Sequence, residues 1–134
     1  MNPNGWPMNA HVIAAAEHAD PALGEICRVS RTTVDRLAAD LPRVDFIKID
    51  AEGAEESILA GMKQTLIRDK PLLVAEFNAG RCRDPYGFLG ELRSIYGRLS
   101  YLDVHGRVRE TSVERLMADS RVDWLLHLDD PARV

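Results

Sequence analysis

The sequence predicts an α/β fold: a mostly parallel sheet with helices on both faces and one antiparallel strand near the carboxyl-terminal end. Two observations carry this expectation. Short apolar runs alternate with stretches whose apolar residues recur at helical spacing, the order that builds parallel sheets through right-handed crossovers. Runs such as VDFIKID (44–50) and PLLVAEF (71–77) are apolar nearly throughout, as strands covered on both sides must be.

Taken in order, AHVIAAA (10–16) and EICRV (25–29) are apolar runs separated by the turn signal DPALG, which predicts two strands. RTTVDRLAADLP then predicts a helix that buries Val34, Leu37, Ala38 and Leu41. It starts at a capping-box-like pair, Thr32 and Asp35, and is stopped by Pro42. VDFIKID is a buried strand. From Ala54 to about Arg68, Ile58, Leu59, Met62 and Leu66 predict one amphipathic helix. Pro71 opens the strand PLLVAEF, and YGFLGELRSIY (86–96) predicts a helix weakened by Gly87 and Gly90. RLSYLDV (98–104) is a strand followed by a His-Gly turn at 105–106 and a short return segment. Thr111 and Glu114 open a short helix carrying Val113, Leu116 and Met117, and VDWLLHL (122–128) is the last strand.

The chain has 134 residues, enough for one domain (1–134) with a real core, with fraying expected at 1–9 and 130–134. A formal charge of −4 argues against nucleic acid as a partner, because phosphate-backbone affinity needs clustered Lys and Arg. Arg81 and Arg83 read as solvated loop residues. No apolar run reaches the roughly 20 residues of a membrane helix, and the start MNPNGWPMN has no basic or apolar leader segment, so a cytoplasmic location is expected. Cys27 and Cys82 are too few for a disulfide framework. The four histidines form no i, i+4 pair, so no metal site is assigned.

The stretch FIKIDAEGAEESIL (46–59) crowds acids around Gly53, where a strand hands over to a helix. Glu55 and Glu56 are explained by the helix N-terminus, where negative charge is favoured. Asp50 and Glu52 are not, because an acid at the end of a buried strand loses solvation unless it finds a donor, a cation or a ligand. In open α/β sheets the ligand crevice lies beyond the carboxyl ends of the strands, so Asp50, Glu52 and Glu76 are expected on one rim. Trp124 and Trp6 read as packing groups, and Arg83 and Tyr86 as loop residues near a substrate mouth.

The run TTVDRL, the KID-x-EGAE turn within FIKIDAEGAEESILAGMKQTL, and PLLVAEF together resemble the central part of the FkbM family of S-adenosylmethionine-dependent methyltransferases. The match is specific between residues 32 and 77 and follows in order to about residue 128. The resemblance implies a Rossmann-like methyltransferase fold lacking its first strands, with AHVIAAA as the third strand, VDFIKID as the fourth and PLLVAEF as the fifth. The nine glycines contain no GxGxG, so the chain is similar to the carboxyl-terminal two thirds of such a domain. The implied cofactor is S-adenosylmethionine and the implied reaction is O-methylation of a small-molecule or glycan hydroxyl. Asp50 is implied at the methyl end of the cofactor and Ala16 and Glu17 near its adenine. Glu52 and Glu76 are implied as substrate-orienting groups, a general base or ligands of a divalent cation. Two rival expectations stand beside this one. One is a non-catalytic α/β module or pseudoenzyme fragment, associating as a homo-oligomer through an exposed sheet edge. The other, a metal-dependent hydrolase or phosphotransfer domain using Asp50, Glu52 and Glu76 around magnesium, lacks a nucleophile with an adjacent base.

Overall fold

The computed structural model of the chain describes residues 30–132. Its elements in order are α1 (Val34–Leu37), β1 (Phe46–Ile49), α2 (Glu55–Ala60), α3 (Lys63–Asp69), β2 (Leu72–Phe77), α4 (Pro85–Tyr96), β3 (Leu99–Leu102), β4 (Val108–Thr111), α5 (Val113–Met117) and β5 (Trp124–Leu128). The strand-like runs at 10–16 and 25–29, together with Ala16 and Glu17, lie outside the described residues. No described helix is long and apolar enough to cross a membrane.

The strands form one sheet in the order β1-β2-β5-β3-β4. Among the described strands only β1 and β2 pair in parallel. The other three pairings, β2 with β5, β5 with β3 and β3 with β4, are antiparallel. The expectation of a mostly parallel sheet is therefore corrected, and the reason lies in β5. This strand returns in the reverse sense and inserts between β2 and β3, so β1, β2 and β3 run the same way although β3 touches neither of the others. The expected antiparallel strand near the carboxyl-terminal end is present, and its insertion replaces the one parallel contact that β2 and β3 would make with two antiparallel ones.

The register puts Ile49, Ala75 and Leu126 side by side on one face, flanked by Leu73 and Leu128. This face joins Leu59, Met62 and Leu66 of the α2–α3 region, Phe88, Leu89 and Leu92 of α4, and Leu116 of α5 in a single core cluster. Along β2, Leu73, Ala75 and Phe77 are buried while Leu72, Val74 and Glu76 are half-buried. Among the described residues the helices thus gather on one face of the sheet, not on both.

Two helices depart from the sequence reading for one shared reason. The first is a single turn, with Thr33 as its cap accepting from the Arg36 N–H at 3.2 Å, and Leu37 and Leu41 are exposed. The Asp35 carboxylate does not close a capping box. It reaches across to α3 and accepts from the Gln64 and Thr65 N–H groups at 3.1 and 2.8 Å and from the Thr65 hydroxyl at 2.7 Å. Two of the orphan donors at the start of α3 are thereby satisfied from outside the helix. The expected single helix over 54–68 breaks at Gly61 and Met62 where α1 leans against it. A Cβ at Gly61 would meet the Thr33 side chain at 3.2 Å, and the Asp35 N–H donates to the Gly61 carbonyl at 2.9 Å.

The fourth helix is a full 12 residues despite its glycines. Asp84 caps it by accepting from Gly87 N–H at 2.8 Å, Pro85 occupies the first turn, and Gly97 ends it in the left-handed region at φ 79°. Gly87 is required by this cap, because a Cβ there would lie 2.2 Å from the Asp84 carboxylate. The Tyr96 hydroxyl donates to the buried Pro71 carbonyl at 2.7 Å and ties the end of α4 to the entry of β2. The His-Gly turn is as expected. Asp103 accepts from His105 and Arg107 N–H groups, both at 2.9 Å, and Gly106 takes φ 72°. The cap of α5 is Ser112, one residue beyond the expected Thr111.

Candidate functional site

Because β1 and β2 are parallel neighbours, their carboxyl ends open on the same rim, and β5, running the other way, begins there. The chain leaves β1 through Asp50 and turns sharply at Glu52 (φ 51°) and Gly53 (φ 101°). A left-handed glutamate costs about 1 kcal/mol or more relative to glycine, so the turn must be held by its surroundings. Glu55 does this. Its buried carboxylate accepts from the Ala51 and Gly53 N–H groups at 2.9 and 2.8 Å, folding the first residue of α2 back over the turn. The structural reading of Glu55 therefore stands. Glu56 is structural too, accepting from the Arg83 and Asp84 N–H groups at 3.0 and 2.9 Å and pinning the loop that leads into α4.

The rim is organised by a residue that the sequence reading took as solvated loop surface. The Arg81 guanidinium, in the loop after β2, contacts Glu76 at 3.2 Å, Glu52 at 3.4 Å and Asp123 at short range. Asn78 donates to Asp123 at 2.7 Å and accepts from Gly80 N–H at 2.8 Å, so the loop is braced where it crosses the rim. Glu52 and Glu76 are thus brought together as expected, with an arginine between them. Asp50 stands beside them and pairs with Lys48 at 2.9 Å. The centre of the carboxylate group is filled by a guanidinium. Among the described residues no three His, Cys, Asp or Glu side chains are placed to share a metal ion.

Electrostatics sharpens the picture. Burial pushes the Glu76 carboxyl above its usual range, Arg81 pulls it back, and the charges of Asp123 and Asp50 push it up again. Its Oε2 atom is buried and has no hydrogen-bond partner among the described residues. Burial works against the charge of Arg81, but Glu76 and Asp123 outweigh it and hold the guanidinium more firmly protonated than usual. A carboxylate whose basicity is raised by burial, with one oxygen held by a cation and the other free, is equipped to accept a proton.

Sequence reasoning read Arg81 as solvated, which its three carboxylate contacts correct, and missed Asp123. Asp123 opens the apolar run VDWLLHL, and an acid at the start of a strand points to this rim only once the strand is known to run backwards. Cys82, beside this loop, is driven to about 11 by burial and by the charges of Glu56 and Glu55, which makes it an inert thiol at neutral pH. Tyr86 is exposed on α4, and Arg83 lies next to Glu56 at the other end of the loop.

The family model described as "Methyltransferase FkbM domain" matches residues 9–115. No curated protein and no solved structure gives a significant match.

Proposed function

The chain belongs to the FkbM methyltransferase family, and from that premise we propose that it takes part in transfer of a methyl group from S-adenosylmethionine to a hydroxyl of a small molecule or sugar. The observation that carries the reading is the family match across most of the chain, and the acidic rim supports it. When bound, S-adenosylmethionine supplies a methyl group on a sulfonium, which departs as a neutral thioether. What supports the sulfonium end is that Asp50 and Glu52 put carboxylates at the rim, paired with Lys48 and Arg81, and that among the described residues nothing stands within 4 Å of where a Cβ on Gly53 would be. Ala16 and Glu17 are the candidates for the adenine end. The strand order and the reversed β5 are consistent with the carboxyl-terminal part of a Rossmann-like methyltransferase fold.

In this reading Glu76 is the general base. With Oε1 held by Arg81, the Glu76 carboxyl, its basicity raised by burial, takes the acceptor's hydroxyl proton as the new oxygen–carbon bond forms. Most of the rate comes from holding acceptor and methyl group in line, and the base adds roughly 10²- to 10⁴-fold. Asp50 and Glu52 orient the reactants and balance positive charge. Calorimetric titration of the chain with S-adenosylmethionine, paired with a labelled-methyl transfer assay, tests this. Saturable binding that weakens in Asp50→Ala, with transfer lost in Glu76→Gln, supports it; a folded chain that takes up no cofactor sinks it.

One observation favours a second reading, a non-catalytic module that associates through its sheet. Among the described residues β1 stands at an edge, and Phe46 on it is more than half exposed. Sedimentation of the chain against a Phe46→Lys variant separates the two: a dimer that dissociates in the variant, with no cofactor binding, favours the module.

A further inference from the structure

Two loops meet beside Glu76. Residues 78–81 make a turn in which the Arg81 N–H donates to the Asn78 carbonyl at 3.1 Å and the Asn78 side chain accepts from the Gly80 N–H at 2.8 Å. The segment ahead of β5 makes a second turn, closed by the Val122 N–H on the Asp119 carbonyl at 3.2 Å. The two turns touch at Gly80, where a Cβ would stand 2.8 Å from the Ser120 carbonyl, so the approach needs a residue without a side chain. The Asn78 amide reaches across this contact and donates to Asp123 at 2.7 Å. Asp123 is thus anchored from the opposite loop, facing Arg81.

Arginine and a carboxylate frequently meet through two parallel hydrogen bonds. Glu76 receives only one. Nη2 of Arg81 serves both Oε1 of Glu76, at 3.2 Å, and Oδ1 of Asp123, while Nη1 turns to Glu52 at 3.4 Å. The second oxygen of Glu76 has no partner among the described residues.

We propose that Asp123 is a positioning residue for Glu76: anchored by Asn78, it shares the Arg81 guanidinium and denies Glu76 the second hydrogen bond that would hold its carboxylate charged. The charged and titratable groups around Glu76 among the described residues are Lys48 and Asp50 from β1, paired with each other, Glu52 on the turn, Arg81 on its own loop, and Asp123 and His127 from the β5 side. Burial comes first in raising the proton affinity of Glu76, Arg81 lowers it, and the charge of Asp123 raises it again. Removing the Asp123 charge therefore acts in one direction by two routes. It takes away a group that favours the proton, and it hands the guanidinium back to Glu76. That this arrangement readies Glu76 as the base for a hydroxyl rests on the methyltransferase reading; the sharing of Arg81 does not.

Carbon-detected NMR titration of the Glu76 side chain in the full chain, with no cofactor added, tests the inference without any methyl chemistry. In Asp123→Asn, which keeps the shape of the side chain and removes its charge, the Glu76 midpoint should move to lower pH. In the Arg81→Ala background the same substitution should move it less, since there is no guanidinium to hand back, and the double-mutant cycle isolates the shared contribution. Gly80→Ala keeps every charge and wedges the two loops apart, and it too should lower the midpoint. A midpoint unmoved or raised in Asp123→Asn, even where thermal unfolding shows a loss of stability, would leave Asp123 a structural group only and overturn the inference. Equal shifts with and without Arg81, or a Gly80→Ala chain that titrates like the wild type, would overturn it as well. Where the chain transfers methyl groups, the acid limb of its pH–rate profile should follow the midpoint downward in Asp123→Asn. A shifted midpoint without cofactor binding upholds this inference and counts against the methyltransferase reading; cofactor binding with an unmoved midpoint does the reverse.

Discussion

Oε1 of Glu76, at the end of β2, lies 3.2 Å from the guanidinium of Arg81, five residues later in the chain. The pair holds a carboxyl whose burial raises its proton affinity and whose other oxygen has no partner among the described residues. Among the described residues Arg81 is the neighbour that lowers the Glu76 affinity, so in Arg81→Ala the carboxyl should titrate at still higher pH. Carbon-detected NMR titration of the Glu76 side chain reads this directly. The folded-state value is raised, so the folded chain binds more protons than the unfolded one between the two values, and stability falls as pH rises through that window. In Arg81→Ala the window widens, and stability at neutral pH should drop by no more than about 1 kcal/mol, since these pairs are open to solvent. An unchanged Glu76 titration would show that Arg81 does not tune it.

Asp35→Ala should destabilise the chain by about 1 to 2 kcal/mol at neutral pH, the usual cost of losing a helix cap. The burial of Asp35 works against its charge, but the hydrogen bonds from Thr65 and Gln64 outweigh it and lower the carboxyl's proton affinity. For a lowered acid the stabilisation is present above the unfolded-state value and is lost as pH falls through the folded-state one. The gap between wild type and variant in urea unfolding should therefore close on acidification. A gap that persists undiminished under acid would assign the loss to packing.

Much of the fold was legible because strands and long helices announce themselves locally. VDFIKID, PLLVAEF, RLSYLDV and VDWLLHL are all strands, and the His-Gly turn closes the β3–β4 hairpin. What escaped is non-local. Asp35 caps a helix 30 residues away, and the break at Gly61 follows from α1 leaning on it, neither of which any periodicity records. The same holds at the rim. Asp50, Glu52 and Glu76 could be placed together because parallel neighbours share an end, whereas Asp123 reaches them only through the reversal of β5. Arg81 looked like a solvated loop residue because the three carboxylates it joins lie on three different elements.

The two glycines inside α4 should respond in opposite directions. Gly90→Ala places a methyl group where, among the described residues, nothing stands within 4 Å and should stabilise the chain by about 0.5 to 1 kcal/mol, the helix-propensity difference. Gly87→Ala gains the same propensity but drives its Cβ into the Asp84 cap, only 2.2 Å away, and should destabilise by about 1 kcal/mol net as the cap is displaced. Thermal unfolding of the two variants side by side is decisive: equal shifts of the same sign would mean that Asp84 moves aside without cost.

Cys82 should be a slow thiol. Its proton affinity is driven from 9.0 to about 11, first by burial and then by the charges of Glu56 and Glu55. Since only the thiolate reacts, two pH units reduce alkylation at pH 8 by about 100-fold relative to an unshifted cysteine. Mass spectrometry of the Cys82 peptide after timed iodoacetamide treatment measures the ratio. The direction also fixes a stability effect: the folded state holds the proton more tightly than the unfolded state, so stability falls as pH rises from about 9 to 11. Glu56→Ala should raise the alkylation rate twice over, by removing a negative charge and by releasing the Arg83 and Asp84 N–H groups that keep the loop closed over the sulfur. Fast modification of Cys82 in the unmodified chain would mean that this loop opens readily, and would weaken the case for a rim held rigid by Glu56, Arg81 and Asn78.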